Sequence, residues 1–342
     1  MRLPIPLAPL PASPLVSVLM ANYNYGRYLP AAVASVQAQT YTNWEMIICD
    51  DGSTDESLEV IARLAAAEPR LRGLSMGANG GQAATLNAAY DSSRGELLCL
   101  LDADDTWMPR KLEAVIAAAR RAPAAGLLPD PQLRLEADGR SSGTIPDLPL
   151  QAGWFGPALA ATGNGPPLPF TSGVSLRREA AARIFPLPER FRTSADTAIL
   201  TLALALTSLE PVSPAPLSTL RLHGGNDLSG HDTRNNPERL ERTNRLQEAA
   251  LALAREKSQL PGPWPLPWAV VMNLALAQRL RGELSWRAYR QALRRSPNRP
   301  PGRLAWSLFF EYAPALPLPL YRRIRQAASQ ARAVLFRVRR RA

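Results

Sequence analysis

Two cysteines in 342 residues are too few for a disulfide framework, and Cys49 and Cys99 each lie inside an apolar, strand-like run. A reducing cytoplasm suits such thiols. No apolar run approaches the roughly 20 residues a membrane-spanning helix needs. Met1 to Pro14 is punctuated by proline and lacks the continuous apolar stretch of a signal peptide. No Gly-x-Gly-x-x-Gly follows the first apolar run, and there is no Walker A loop, which disfavours a dinucleotide enzyme and a P-loop NTPase. Histidine is scarce, with only two in the chain.

What the chain does hold is a 46% hydrophobic composition, enough for a sizeable core, and 33 prolines, many in connecting segments. Its charge is unevenly placed. Residues 1–230 carry 18 Lys/Arg against 22 Asp/Glu, and residues 231–342 carry 22 against 7. The basicity therefore belongs to the C-terminal third. Three regions follow: a flexible or surface-clinging leader over 1–14, an α/β domain over 15–230, and a basic, proline-broken helical extension over 231–342.

From residue 15 a β-loop-α pattern repeats four times in about 110 residues. Leu15–Ala21, Trp44–Cys49, Leu71–Met76 and Leu97–Leu101 read as buried strands. The helices between them begin near Leu29, after Ser53 or Thr54 as cap, and after Asn79-Gly80-Gly81. Leu58, Ile61 and Leu64 share one face of the second. Pro109 opens the fourth. This pattern makes a mainly parallel sheet flanked by helices, whose ligands bind outside the carboxyl ends of the strands. Three of those ends carry polar loops: Asn22-Tyr23-Asn24, Asp50-Asp51-Gly52 and Asp102-Ala103-Asp104.

Asp102-Ala103-Asp104-Asp105 gathers three carboxylates where a core strand ends. Their mutual repulsion calls for a cation, and Mg²⁺ or Mn²⁺ suits oxygen ligands while retaining water and a substrate phosphate. The other reading is an acidic helix N-terminus. A tyrosine for base stacking and carboxylates for base, ribose and metal suit a nucleotide-shaped ligand. Farther on, Phe170–Leu176 reads as a strand in which Gly173 leaves room for a substrate to approach the backbone. Asp196 opens an apolar helix, as an N-cap or as a functional carboxylate. His223 follows a short strand, Ser218–Leu222, and is either structural or a ligand of the same cluster.

Taken together and in order, Val16–Asn24, Asp50–Asp55, Gly80 to Asn87, Gly95–Asp105 and Arg221–Asn226 resemble the motifs of glycosyltransferase family 2. The resemblance covers about residues 15–230. It implies the A-type glycosyltransferase fold, a Rossmann-like sheet with flanking helices, and inverting transfer from a nucleoside-diphosphate sugar, a UDP-sugar in the first instance. It implies an acceptor that is a saccharide or lipid-linked hydroxyl, in cell-surface polysaccharide or glycolipid synthesis. It further implies that Tyr23, Asp51 and Asp102 bind the donor, that Asp104 and His223 hold Mg²⁺ or Mn²⁺, and that Asp196 is the catalytic base. Ala195 stands where the common pattern has Glu.

The C-terminal third has no such motifs. Helices are expected over about Pro237–Lys257, Trp268–Arg281 and Ser285–Arg295, and over the end of the chain. In the last, Leu320, Ile324, Ala327, Ala331, Val334, Leu335 and Val338 share a face against many arginines. Such a helix lies on an anionic membrane surface, docks on the body or serves as an interaction tail. Trp264 and Trp268 are interfacial anchors or core residues. The corresponding location is cytoplasmic, peripheral at the inner face of the membrane if the helix binds lipid. Two rival functions stand beside transfer: a metal-dependent nucleotidyltransferase, and a non-catalytic basic module. The second leaves the acidic cluster unexplained, so nucleic acid is not the expected partner.

Overall fold

The structure, a computed structural model, describes residues 3–223 and 236–281 together with Glu283. Four β-loop-α units open it: β1 (Val16–Asn22) and α1 (Leu29–Gln37), β2 (Trp44–Asp50) and α2 (Ser57–Ala67), β3 (Leu71–Ser75) and α3 (Gln82–Asp91), β4 (Leu97–Leu100) and α4 (Lys111–Arg121). Then come β5 (Ala125–Pro129), β6 (Gln132–Leu135), β7 (Ser141–Ile145) and α5 (Gly156–Thr162). A 3₁₀ turn, Thr171–Gly173, leads into β8 (Val174–Arg177), α6 (Arg178–Ile184), α7 (Ala195–Leu206), β9 (Ser208–Leu209) and β10 (Ser218–Arg221).

The main sheet has seven strands in the order β3-β2-β1-β4-β8-β5-β9. β1 pairs in parallel with β2 and β4, while β8 runs antiparallel to both neighbours. β1, β2 and β4 are buried almost throughout, which explains why their sequences are continuous apolar runs rather than alternating ones. Each fully buried aliphatic side chain there contributes roughly 1.5–3 kcal/mol. The order reverses at β1: β2 and β3 lie on one side of it and β4 on the other. That switch point opens a crevice at the carboxyl ends of β1 and β4. A smaller sheet, β10-β6-β7, stands beside it.

Several local expectations are corrected. Neither Ser53 nor Thr54 caps α2, which has Glu56 as its N-cap residue. The Ser53 hydroxyl donates instead to Asp50 at 2.6 Å. Leu58 is 44% exposed, and α2 buries Val60 and Ile61 in its place. Pro109 precedes α4 rather than opening it. Phe170–Leu176 is no continuous strand, because the 3₁₀ turn occupies its first half. The space beside Gly173 belongs to the protein itself: a Cβ there would meet the Asp130 carbonyl oxygen at 2.6 Å. Asp196 is not the N-cap of α7; Ser194 is.

Residues 3–14 lie along the body, with Ile5 buried and its N–H donating to the Leu206 carbonyl at 3.0 Å. The described residues fall into two compact units, one of residues 3–223 and 246–265, the other of 236–245 and 266–281. Helix α8 (Pro237–Ser258) runs through the point of division, and α9 (Trp268–Arg281) belongs to the second unit. Trp264 is buried in the first unit, its N–H bonded to the Ala160 carbonyl. Among the described residues no helix is long and apolar enough to cross a membrane. The expected helix at Ser285–Arg295, the arginine-rich terminal helix, and Gly224 to Asn226 lie outside the described residues.

Candidate active site

A cavity of about 410 Å³ opens at the carboxyl edge of the main sheet. Tyr23, Asp51, Asp102, Asp104 and Asp196 all line it. Residues from three loops and the first turn of α7, far apart in sequence, thus meet in one place.

The Asp50-Asp51 pair divides its work. Asp50 is fully buried and accepts hydrogen bonds from Asn22 Nδ2 at 2.7 Å and Ser53 N at 2.9 Å, tying the end of β1 to that of β2. Asp51 faces the cavity. Its two carboxylate oxygens accept the N–H groups of Gly80 at 2.7 Å and Gly81 at 2.8 Å. Each oxygen retains a lone pair for a ligand donor. Tyr23, 43% exposed, sits at the rim.

The three acids after β4 also separate. Asp102 and Asp104 line the cavity, whereas Asp105 is buried, with Ser172 Oγ donating to it at 2.6 Å and the Arg221 N–H at 2.8 Å. Burial, with the charge of Asp104 beside it, pushes the Asp105 carboxyl up to about 8. Burial first, then the neighbouring carboxylates of Asp105, Asp104 and Asp196, holds Asp102 well above the usual carboxylate range. Burial and mutual proximity set this cluster of carboxyls apart from an acidic cap in solvent.

His223 completes the cluster, its Nε2 standing 2.9 Å from Asp104 Oδ2. The imidazole stacks on Tyr28 with centroids 5.0 Å apart and meets the edge of Tyr25 at 5.7 Å. The loop after β1 therefore orients a histidine two hundred residues away in sequence. Asp104 and His223 supply one carboxylate and one imidazole. Among the described residues no third His, Cys, Asp or Glu joins them in a metal-holding group. That sparse donor set fits a cation such as Mg²⁺ or Mn²⁺, which keeps water and takes phosphate oxygens for its remaining positions.

Asp196 lies in the first turn of α7, 9% exposed, and its Oδ1 accepts the Thr197 N–H at 2.8 Å. Burial raises its carboxyl to about 6. The preceding segment is held by α3: Gln82 N donates to the Arg192 carbonyl at 2.7 Å, and Gln82 Oε1 accepts the Ala195 N–H at 2.9 Å. Gly81 permits this docking, because its φ is +89° and a Cβ would meet Arg192 Cα at 2.6 Å. Gln82, Phe170, Arg192 and Ser194 also line the cavity. Sequence reasoning passed over all four. Only the left-handed Ser194, at φ 56°, breaks a local rule, and backbone angles are not written in a sequence.

The fold is that of one structural class, the A-type glycosyltransferases. A Staphylococcus aureus TarS structure in complex with UDP-GlcNAc superposes with TM-score 0.56 at 15% identity, covering 81% of this chain and 86% of that one. The mannosyltransferase PcManGT from Pyrobaculum calidifontis, in complex with GDP-Man and Mn²⁺, gives 0.53 at 19% identity over 95% and 83%. Within that class, the family model for glycosyl transferase family 2 matches residues 17–185, and the chain carries a domain of that family. An uncharacterized glycosyltransferase of Nostoc sp. is 35% identical over 217 residues, 62% of this chain and 66% of the relative. The chain thus spans just under two thirds of that curated relative's length.

Proposed function

We propose that the protein transfers a sugar from a nucleoside-diphosphate sugar to an acceptor hydroxyl, with inversion at the anomeric carbon. The observation that carries this reading is the convergence of Asp51, Asp102, Asp104 and Asp196 on one cavity. Tyr23 stacks on the base, Asp51 accepts a base N–H and Asp102 lies at the ribose. UDP is the first candidate nucleotide. Asp104 and His223 would hold Mg²⁺ or Mn²⁺, which when bound neutralises charge on the diphosphate as a Lewis acid. The nucleotide-sugar complexes of the structural neighbours, one of them with Mn²⁺, support the same assignment.

Asp196 takes the proton of the acceptor hydroxyl as its oxygen forms a bond to the anomeric carbon. On the opposite face the bond from that carbon to the phosphate oxygen breaks, and the electron pair leaves with the nucleoside diphosphate. One displacement gives inversion. A carboxyl held near 6 by burial is a better base than one at its ordinary value of about 3.9. Phe170, 40% exposed on the cavity wall, offers an apolar face to an acceptor sugar ring. The acceptor class is a saccharide or a lipid-linked saccharide.

Screening nucleotide sugars with Mn²⁺, by thermal shift and by slow hydrolysis, tests the reading. At least one nucleoside-diphosphate sugar should raise the unfolding temperature in a metal-dependent way, and Asp104→Ala should remove that dependence. No response to any nucleotide sugar, or an unchanged metal requirement in Asp104→Ala, would overturn it.

A further inference from the structure

Lys111 and Asp130 form an ion pair in which both side chains are completely buried, and the transfer mechanism uses neither. A buried pair seldom adds stability over apolar residues of the same size. Its partners suggest a different purpose. Lys111 Nζ also donates to the Ser172 carbonyl at 3.0 Å, as does Trp107 Nε1 at 3.1 Å. Asp130 sits at the carboxyl end of β5; its N–H donates to the Gly173 carbonyl at 3.0 Å and its carboxylate accepts Ser218 Oγ at 2.8 Å. The pair thus clamps the 3₁₀ turn before β8 on one side and the start of β10 on the other.

Both clamped segments grip the acidic loop after β4. Ser172 Oγ accepts the Asp102 N–H at 3.0 Å and donates to Asp105 Oδ2 at 2.6 Å, bridging the loop's two ends. From β10, the Arg221 N–H holds Asp105 Oδ1 at 2.8 Å and Arg221 Nε holds the Asp104 carbonyl at 2.9 Å. Three carboxylates in one short loop repel one another. These hydrogen bonds fix the loop through the backbone at Asp102 and Asp104 and through the carboxyl of Asp105.

We propose that Lys111, Asp130 and Ser172 are positioning residues that hold the Asp102–Asp105 loop in the shape that binds a divalent cation with a nucleoside diphosphate. The inference rests on the nucleotide-sugar reading of the cavity. It predicts that loosening the clamp weakens cation binding while leaving the nucleotide-base end, at Asp51, intact. Loss of an outer-shell support of this kind costs about 10–100-fold in metal affinity.

The test uses the full chain and Mn²⁺, titrated in the presence of UDP and separately of GDP, with free Mn²⁺ followed by electron paramagnetic resonance. Nucleotide affinity without metal is measured alongside. Ser172→Ala removes only the bridging hydroxyl. The double variant Lys111→Met with Asp130→Leu removes the ion pair without leaving a buried charge alone, and where it fails to fold, Ser172→Ala decides. Ser175→Ala, on β8 and equally buried, is the control. Mn²⁺ affinity lower by 10-fold or more in Ser172→Ala, with metal-free nucleotide affinity and the control unchanged, bears the proposal out. Equal Mn²⁺ affinity in Ser172→Ala overturns it, as does an equal loss in Ser175→Ala. If the unsubstituted chain binds Mn²⁺ with neither nucleotide and no nucleotide sugar stabilises it in the thermal-shift screen, the nucleotide-sugar reading fails and this proposal with it.

Discussion

Asp196 and Asp51 are both buried carboxylates on the cavity wall, yet their surroundings differ. Asp51 is met by two backbone N–H groups that favour its charge, whereas Asp196 has little beyond the N–H of its neighbour to offset burial. That difference supports the proposed roles, Asp51 as a fixed acceptor and Asp196 as the group that takes the proton. Asp196→Asn should lower the turnover rate by about 10²–10⁴-fold, the usual contribution of general base catalysis, with donor affinity retained in a binding titration. Because the base acts deprotonated and burial raises its carboxyl to about 6, kcat/KM should climb with pH through about 6 and level off above it. A profile already flat at pH 5 would place the base elsewhere.

Among elements, the contact of α3 with the segment before α7 joins the two ends of the site. Asp51 holds the Gly80-Gly81 turn, and α3 holds the backbone just before Asp196. Gly81→Ala strains a positive φ and drives a methyl into Arg192. The substitution should cost about 1–3 kcal/mol in denaturant unfolding and lower turnover more than it weakens donor binding. Ile47, fully buried on β2, is a contrasting case: Ile47→Ala should cost about 2–5 kcal/mol through the cavity it leaves, with the kinetic constants of the remaining folded protein unchanged.

For the whole molecule, the acidic catalytic region and the basic C-terminal third suggest a division between chemistry and attachment. If residues 318–342 bind an anionic membrane surface, as their pattern of arginines and apolar residues suggests, full-length protein should pellet with vesicles containing anionic lipid and the protein lacking 318–342 should not. Equal pelleting of both would remove the anchor.

The β-loop-α order and the acidic loops at the strand ends were legible in the sequence, because burial on both faces forces continuous apolar runs and strand ends must turn. The partition of adjacent acids was not. Asp50 and Asp51, like Asp104 and Asp105, are chemically identical neighbours, and only the direction in which the folded backbone points each side chain separates tie from site. The caps of α2 were misread for a related reason: Ser53 had a better partner in Asp50 across the turn than in the helix beyond it.

By itself the sequence determined the alternation of strand and helix and the chemical inventory of each loop, since periodicity and residue type are local properties. The tertiary structure alone decided that Tyr25 and Tyr28 pack on His223, that Gln82 steadies the approach to Asp196, and that Lys111 and Asp130 lie behind the acidic loop. Those pairings join residues far apart along the chain, brought together by the order in which the strands are laid into the sheet, and no local pattern encodes that order.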